Sequence, residues 1–340
     1  MKVNKHKTGR QSRYCTPSGH TAKERLHNFW EIFQKDDNVL VVISADPDAL
    51  ASAMAVKRLL RYRVKNITIG YPNEIRRLSN LAMIDLLKIS AERLQNIEVD
   101  DYSKKIMLDS QPSHLPIFEN IQFDAVIDHH PVTNSWEADF VDIRPDYGAA
   151  ASILVEYLRA GALKPSVYLA TALFYAIKVD TNNFEKKALL ADAISFRYLF
   201  GIANQNLVRK IELSELRFSE LGYFRTALAD MKVSKKRLYA HIGRVRSPDI
   251  LVIIADFLNQ VNGISWVFVS GIHGERLVVI FRCDGYKKNA GKLAEKIFSK
   301  VGSAGGHREA ARAEVPLKNL DMRDNGFTTD TLKQLTTEHM

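Results

Sequence analysis

The sequence predicts an α/β fold: a doubly wound parallel sheet followed by a second, smaller α/β domain. Short apolar runs such as residues 38–44 and 123–128 alternate with segments of helical periodicity, as in sheets whose strands are buried on both faces. Several of these runs end directly in acidic or imidazole side chains. With 340 residues the chain is also too long for one ordinary hydrophobic core, so two domains are expected.

The first domain is predicted to span residues 26–189. A further apolar segment, residues 167–177, precedes Asp180 and is expected to bring that acid to the same edge as the other strand ends. The strands are expected at residues 38–44, 67–70, 104–109, 123–128 and 141–144, and the helices at 49–56, 78–87 and 147–157.

The rest of the chain is divided by composition and periodicity. We expect a basic flexible tail over residues 1–25, a helical connector over 190–235, the second domain over 236–320 and a C-terminal tail over 321–340. An alternative is that the connector simply completes the first domain. In the second domain, helices are expected at 250–261 and 289–301, and strands at 264–270 and 277–281.

The composition is that of a globular protein. Hydrophobic residues make up 46% and charged residues 26%, and no apolar run approaches the roughly 20 residues that span a bilayer. The N-terminus has no signal-peptide core, and two cysteines suggest neither a disulfide framework nor a Cys-based zinc site, so we expect a cytoplasmic protein without membrane contact. The net charge of +9 favours an anionic partner, although the basic tail supplies much of it.

Acids and histidines follow four separate apolar segments of the first domain. Because the carboxyl ends of parallel strands meet at one edge of the sheet, we expect these side chains in one crevice. Unpaired carboxylates would repel one another there, and divalent cations would relieve the repulsion. Ligands rich in oxygen with few imidazoles suit Mn²⁺ or Mg²⁺ better than a structural zinc. The set comprises Asp46, Asp48, Asp109, Asp128, His129, His130 and Asp180.

Each pattern also has a purely structural interpretation. The Asp-Pro-Asp turn at residues 46–48 is equally consistent with a helix N-cap, because a carboxylate there accepts amide hydrogen bonds and favours the positive end of the helix dipole. A single Asp-His-His run, such as residues 128–130, is by itself consistent with a strand-end turn. It is the recurrence of acid-ended segments that favours a metal site.

These residues resemble the motifs of a known family. The turn at 46–48, Asp109, the run at 128–130 and Asp180 are similar, in the same order, to motifs one to four of the DHH phosphoesterases. The Gly-Gly-His stretch within residues 302–311 is similar to the motif of the DHH-associated domain. That superfamily includes single-strand exonucleases, nanoRNases that also dephosphorylate pAp, cyclic-dinucleotide phosphodiesterases and related pyrophosphatases.

The resemblance covers roughly residues 38–317 and implies an active site in the cleft between two domains, with two Mn²⁺ ions, or Mg²⁺ in their place, as cofactors. By position, Asp46 would bind the first ion and Asp48 the second, while Asp109 would bridge both. His129 and Asp180 would complete the shell of the second ion.

The resemblance also implies catalytic and substrate-binding residues. Asp128 would support a histidine, and His130 would face the substrate phosphate. Read without the resemblance, Gly305-Gly306 could be only a tight turn, and Arg282 only a surface charge. The implied substrate-binding residues are Arg282, Gly305, Gly306 and His307.

One position departs from the family pattern, since Val42 stands where the family usually has a histidine ligand. We expect Mn-dependent hydrolysis of phosphodiester or phosphomonoester bonds in short single-stranded oligonucleotides or small nucleotides, as in proteins similar to nanoRNase/pAp phosphatases. A cyclic-dinucleotide phosphodiesterase and a catalytically degenerate nucleotide-binding regulatory module remain alternatives. The sequence leaves the oligomeric state open, a homodimer included.

Overall fold

The computed structural model describes residues 21–133, 136–185, 188–286, 288–320 and 326–338. The chain divides into two compact units, Met1–Ser214 and Glu215–Met340, each with its own sheet and hydrophobic core. Within these described ranges, no helix is both long and apolar enough to cross a lipid bilayer.

A parallel sheet forms the centre of the first unit. Its strands are β1 Asn38–Ile43, β2 Asn66–Tyr71, β3 Glu92–Arg93, β4 Lys104–Leu108, β5 Ala125–Asp128 and β6 Phe140–Ile143. In the described part of the chain, these six strands follow the order β3-β2-β1-β4-β5-β6, and every neighbouring pair is parallel. The predicted doubly wound sheet is therefore confirmed, and its strand order reverses between β1 and β4. Open α/β sheets bind ligands at this reversal, beyond the carboxyl ends of the strands.

Helices bury most of this sheet. Residues of β1 alternate between two apolar clusters: Val39, Val41 and Ile43 belong to the larger one, whereas Leu40 and Val42 belong to a smaller one. This alternation explains why the strand reads as a continuous apolar run. The helices are α1 Ala22–Glu31, α2 Pro47–Leu60, α3 Leu78–Leu86, α4 Pro116–Glu119, α5 Ala150–Ala160, α6 Val167–Asp180, α7 Leu190–Phe200 and α8 Gln205–Glu212.

The second unit is built on a mixed sheet. Its strands are β7 Lys232–Ser234, β8 Arg237–Arg244, β9 Trp266–His273, β10 Arg276–Cys283, β11 Ser303–Gly306 and β12 Ala310–Pro316. Their order is β11-β12-β10-β9-β8-β7, and among the described strands of this second sheet only β8 and β9 pair in parallel. Apolar clusters cover both faces. The helices are α9 Leu221–Asp230, α10 Asp249–Asn259, α11 Ala290–Phe298 and α12 Thr329–Thr337.

The apolar segment 167–177 forms most of helix α6, so Asp180 reaches the sheet edge from the end of a helix rather than from a strand. Ser166 caps this helix by accepting a hydrogen bond from the Leu169 amide (3.2 Å). The segment is apolar on nearly every side because the helix is buried. A run of this kind gives no periodicity that separates a buried helix from a buried strand.

The predicted connector at 190–235 is not a separate segment. Helices α7 and α8 pack on the first core through Leu199, Val208 and Ile211, so they complete the first unit. Helix α9 instead contributes Ala227 to a core of the second unit. The apolar side of each short helix needs a partner, and the nearest core supplies it.

Both predicted tails contain ordered helices. Helix α1 begins at Ala22, after a capping box in which the Thr21 hydroxyl accepts from the Glu24 amide (3.2 Å) and the Glu24 carboxylate accepts from the Thr21 amide (2.7 Å). Helix α12 lies in the predicted C-terminal tail and buries Leu332 in the second core. The rest of the predicted N-terminal tail, residues 1–20, lies outside the described residues.

The two glycines at the end of β11 are expected to respond differently to alanine. Gly306 has φ +151°, and a Cβ there would lie 2.4 Å from the Ala310 carbonyl oxygen, whereas a Cβ on Gly305 would meet only the end of the Glu295 side chain at 3.9 Å. Gly306→Ala should therefore cost about 1–3 kcal/mol of unfolding free energy from backbone strain alone. The matched Gly305→Ala should be close to neutral in the same denaturant titration. Equal stability of the two variants would contradict this description of the turn.

Candidate metal centre

The connection from β1 to α2 fixes two carboxylates. Asp46 is the N-cap of α2, and its Oδ1 accepts a hydrogen bond from the Ala49 amide (2.9 Å), so the capping interpretation holds for this residue. Asp48 is buried in the first turn of the helix. Its two oxygens accept hydrogen bonds from the amides of Ala150 (2.6 Å) and Ala151 (2.7 Å) at the start of α5. A second helix therefore holds Asp48 in one orientation.

Asp109 follows β4 directly and has an unusual backbone conformation. Its φ of +54° lies in the left-handed region that residues other than glycine seldom adopt. Its amide donates to the Ile127 carbonyl (2.9 Å), which holds it beside β5. Such strain costs about 1–3 kcal/mol and is concentrated at functional sites. Because β1 and β4 flank the reversal of strand order, Asp46 and Asp109 stand on either side of it.

Asp128 ends β5 and orients the two histidines that follow it. Its buried carboxylate accepts hydrogen bonds from the His129 amide (2.8 Å) and Gln111 Nε2 (2.7 Å), and lies 2.8 Å from His130 Nδ1. Burial raises the pKa of Asp128, but the contacts with His130 and Gln111 outweigh it and lower the pKa below its ordinary value. The same contact with Asp128 raises the pKa of His130. Asp128 therefore stays ionised and His130 carries positive charge more readily than a free histidine.

His129 lies at the meeting point of three carboxylates. Its Nε2 is 3.1 Å from Asp180 Oδ2, 3.2 Å from Asp109 Oδ1 and 3.9 Å from Asp48 Oδ2. Its Nδ1 lies 3.2 Å from the Tyr147 carbonyl oxygen. Nevertheless, His129 Nε2 and Asp109 Oδ1 are buried without a hydrogen bond of acceptable angle in the described structure. The two atoms lie 3.2 Å apart, but neither has the well-aligned hydrogen bond that buried polar groups normally have.

The pKa values reflect this crowding of negative charge. Burial, reinforced by the charge of Asp180, raises the pKa of Asp48 to about 8. Burial and the charge of Asp48 likewise raise the pKa of Asp109 well above its ordinary range. Burial alone would lower the pKa of His129, but the carboxylates of Asp109 and Asp180 raise it to about 12. The raised pKa values mean that these side chains favour a positive charge at the centre, either a cation or the protons on their own titratable atoms.

Among the described residues, two sets of side chains place their ligand atoms within 4.8 Å of one another: Asp48, His129 and Asp180, and Asp109, His129 and His130. A divalent cation fits these residues, because it would coordinate the two buried atoms that lack a well-aligned hydrogen bond and would offset the carboxylate charge. Asp46 belongs to neither set. Burial, together with the charge of Asp180, still raises the pKa of Asp46, so the two carboxyl groups interact.

Val42 offers nothing to this centre. It is fully buried and belongs to the smaller apolar cluster, with Leu40, Met107 and Val126. A histidine placed at this position would bury an imidazole among apolar side chains, which is unfavourable unless the ring finds a polar partner.

Gln111 is a supporting residue that the sequence analysis did not assign. It is fully buried, and its Nε2 donates to Asp128 and to the carbonyls of His130 (3.3 Å) and Pro131 (3.1 Å), while its Oε1 accepts from the Thr133 amide (3.0 Å). One amide side chain therefore fixes both the carboxylate and the loop that carries the histidines. The sequence offered one signal for this role: Gln111 is a polar residue two positions after Asp109, the acid that follows β4.

A second support lies behind His129. The Tyr147 carbonyl contacts the His129 ring, and the Tyr147 hydroxyl donates to Glu156 (2.6 Å) and accepts from Arg144 (3.1 Å). Arg144 also makes two hydrogen bonds, of 2.9 and 2.7 Å, to the buried carboxylate of Asp142. A satisfied buried network of this kind fixes the segment that orients the imidazole.

In the second unit, the predicted substrate-binding residues meet at one end of the sheet. The strand register places Arg282 opposite Ala310, next to the turn that contains Gly305, Gly306 and His307. The His307 carbonyl accepts from the Gly291 amide (2.9 Å), and the His307 side chain is exposed.

Arg282 already has a partner within this unit. Its Nε donates to Asp256 Oδ1 (2.6 Å) on α10, so its guanidinium is neutralised in the described structure. A phosphate that bound Arg282 would compete with this carboxylate or share the guanidinium with it.

Comparison with known proteins agrees with these features. The model of the DHH family, N-terminal domain, matches residues 38–177, and the model of the DHHA1 domain matches residues 234–323. An uncharacterized protein of Methanocaldococcus jannaschii is 36% identical over 281 residues, which cover 82% of this chain and 58% of that protein. The chain therefore spans little more than half the length of this curated relative.

Two solved structures share the fold. An exopolyphosphatase-related protein from Bacteroides fragilis superposes with a TM-score of 0.71 at 14% identity, covering 93% of this chain and 96% of the other. RecJ from Thermus thermophilus, in complex with Mn²⁺, superposes with a TM-score of 0.53 at 14% identity, covering 93% of this chain and 54% of the other. The chain belongs to the DHH phosphoesterase superfamily, with a DHH domain followed by a DHHA1 domain.

Metal binding at this centre is expected to release protons. The pKa of Asp48 is about 8 and that of His129 about 12 without an ion, so both side chains must lose a proton before they ligate a cation. Mn²⁺ affinity, measured calorimetrically between about pH 6 and about pH 9 in buffers of different ionisation enthalpy, should rise throughout, more steeply below about pH 8. Affinity that is independent of pH, without proton release, would contradict the assignment.

Proposed function

We propose that this protein hydrolyses phosphodiester or phosphomonoester bonds of short single-stranded oligonucleotides or small nucleotides, with Mn²⁺ as its cofactor. The observation that carries the proposal is that two buried atoms, His129 Nε2 and Asp109 Oδ1, lie 3.2 Å apart without a well-aligned hydrogen bond, among carboxylates at the reversal of strand order. Membership of the DHH superfamily supports the reaction class, and the Mn²⁺ in the RecJ structure supports the choice of ion.

In this proposal Asp48, His129 and Asp180 would hold one ion, Asp46 and Asp109 would hold the second, and Asp109 would contribute to both. When bound, the ions supply charge neutralisation and activate a water at neutral pH. Oxygen ligands with one imidazole suit Mn²⁺, and Mg²⁺ is the other candidate.

The chain's own residues then handle the phosphate. His130 is half exposed, and its Nδ1 contacts Asp128, which leaves Nε2 as the ring nitrogen available to a substrate. With its pKa raised by that contact, the ring carries the positive charge and the proton needed to bind a phosphoryl oxygen or protonate a leaving group. Gln111 keeps Asp128 in place for this role.

In the second unit, Arg282, Gly305, Gly306 and His307 are proposed to bind the nucleotide. Their common position at one end of the sheet supports this, as does the positive charge of Arg282. The side chain of Arg282 would exchange part of its contact with Asp256 for a phosphate.

A catalytically degenerate nucleotide-binding module is the second candidate, because Val42 lies in an apolar cluster and offers no ligand. The number of bound ions separates the two proposals. Two Mn²⁺ equivalents per chain support the enzyme, whereas one or none supports the module.

Asp109→Asn is expected to abolish hydrolysis. Asparagine accepts the left-handed backbone of this position better than alanine does, so the substitution removes the charge and leaves the turn intact. Loss of a ligand to both ions should lower kcat by at least about 100-fold. A screen over pAp, dinucleotides and cyclic dinucleotides with Mn²⁺ measures this loss and also identifies the substrate.

Asp101→Asn is the matched control, because it removes an exposed carboxylate from the same unit. It should keep full activity. A folded Asp109→Asn protein with turnover close to that of the control would refute the two-ion centre.

A further inference from the structure

The first unit contains a pocket that the metal centre does not use. It encloses about 480 Å³, within the range of roughly 300–1,000 Å³ that small-molecule sites occupy. It is formed by the carboxyl end of α2 and the loop that follows it, the first residues of β2, residues 88–90 after α3, and the start of α6. Apolar residues make its floor: Met54, Leu60, Ile67, Ile69, Ile89 and Leu169.

The pocket lies at the opposite edge of the sheet from the carboxylates. Helix α2 begins with Asp48 in its first turn and reaches the pocket with Lys57 and Arg58 in its last. Its 14 residues correspond to about 21 Å of helix. Helix α6 spans the same distance in the other direction, from Ser166 beside the pocket to Asp180 at the metal centre.

The charge of the pocket is one-sided. Five of the residues that line it are cations, and none of its described lining residues is Asp or Glu. The cations are Lys57, Arg58, Arg61, Lys65 and Lys88. In the described structure, only the last of these forms an ion pair with a carboxylate, at 3.7 Å from Asp85.

Only some cations of the basic segment at residues 57–65 line the pocket, and the amino end of a helix lies beside them. Arg63 belongs to the same basic segment but lies 3.6 Å from the centre of the Trp30 ring and does not line the pocket. The amino end of α6 also opens here, since Ser166 caps that helix and Leu169 lies in the pocket floor. The positive end of the α6 dipole lies at the pocket and offsets the negative end of the α2 dipole, since the last turn of α2 also lines the pocket.

An aromatic ring stands at the rim. Tyr62 is 74% exposed, and the Arg61 guanidinium lies 4.8 Å from the centre of its ring. Tyr62 and Lys88 have φ angles of +69° and +55°. Both rim residues therefore have the left-handed backbone conformation that residues other than glycine seldom adopt. A flat ring could stack on the exposed face of Tyr62 while its anionic group meets the cations.

We propose that this pocket binds a small anion that carries a flat aromatic ring, the chemistry of a nucleoside phosphate. The apolar floor and Tyr62 would hold the ring, and Arg61 and Lys65 would hold the phosphate. Such a group is supplied either by a free nucleotide or by the phosphorylated end of a short strand. Binding requires neither the metal centre nor hydrolysis.

Calorimetric titration of the full chain with AMP in EDTA tests the site without metal ions. AMP should bind, and adenosine and inorganic phosphate should each bind at least about tenfold more weakly, because each carries only half of the recognised chemistry. Hydrogen exchange should slow on AMP addition at residues 57–69 and 88–90. A 5′-phosphorylated trinucleotide that binds more tightly than AMP identifies a strand end as the source, and weaker binding identifies a free nucleotide.

Two variants locate the binding. Arg61→Glu/Lys65→Glu reverses two exposed charges of the rim and should weaken AMP binding about tenfold or more. Arg209→Glu/Lys210→Glu makes the same change of charge on exposed positions of α8 and should leave AMP affinity unchanged. Tyr62→Asn keeps a residue that tolerates positive φ and removes the ring, so it should weaken AMP and leave phosphate binding unaltered.

The proposal would be overturned if Arg61→Glu/Lys65→Glu left AMP affinity unchanged, because AMP would then bind elsewhere, or if both double variants weakened AMP equally, because AMP would then respond only to net charge. It would also be overturned if AMP did not bind at about 1 mM, or if phosphate bound as well as AMP.

Discussion

The contact of one imidazole, that of His129, with three carboxylates, two of them buried, is the constraint on which the first unit depends. Like charges at this distance cannot all remain ionised in a buried site without compensation. In the described structure, the His129 imidazole lies within 4 Å of Asp48, Asp109 and Asp180. Burial raises the pKa of the first two of these acids. A bound cation would offset the excess negative charge and would also give His129 Nε2 and Asp109 Oδ1 a well-aligned partner.

The surrounding fold keeps these groups from moving apart. Amides at the start of α5 fix Asp48, a left-handed turn fixes Asp109, and Gln111 fixes the carboxylate that orients the histidines. These supports come from different parts of the sequence and meet only because the strand order reverses between β1 and β4. Orientation of ligands by surrounding residues is a general requirement of metal sites.

Much of this could be predicted from the sequence. Buried parallel strands are readable as apolar runs, and acids directly after them, such as Asp109, must lie at one sheet edge. The sequence could not show that residues 167–177 are helical, because a segment buried on all sides has no amphipathic period. The role of Gln111 was hidden for another reason. Its importance comes from contacts with residues 17 to 22 positions away, which no local pattern records.

A crystal structure with Mn²⁺, in which anomalous scattering locates the ions, tests the two-ion centre most directly. We predict two anomalous peaks in the first unit, one in contact with Asp48, His129 and Asp180, and one in contact with Asp46 and Asp109. In that structure His129 Nε2 and Asp109 Oδ1 should both have an ion as a partner. A structure in saturating Mn²⁺ with no peak at His129, or with these side chains turned away from the ions, would contradict the two-ion centre.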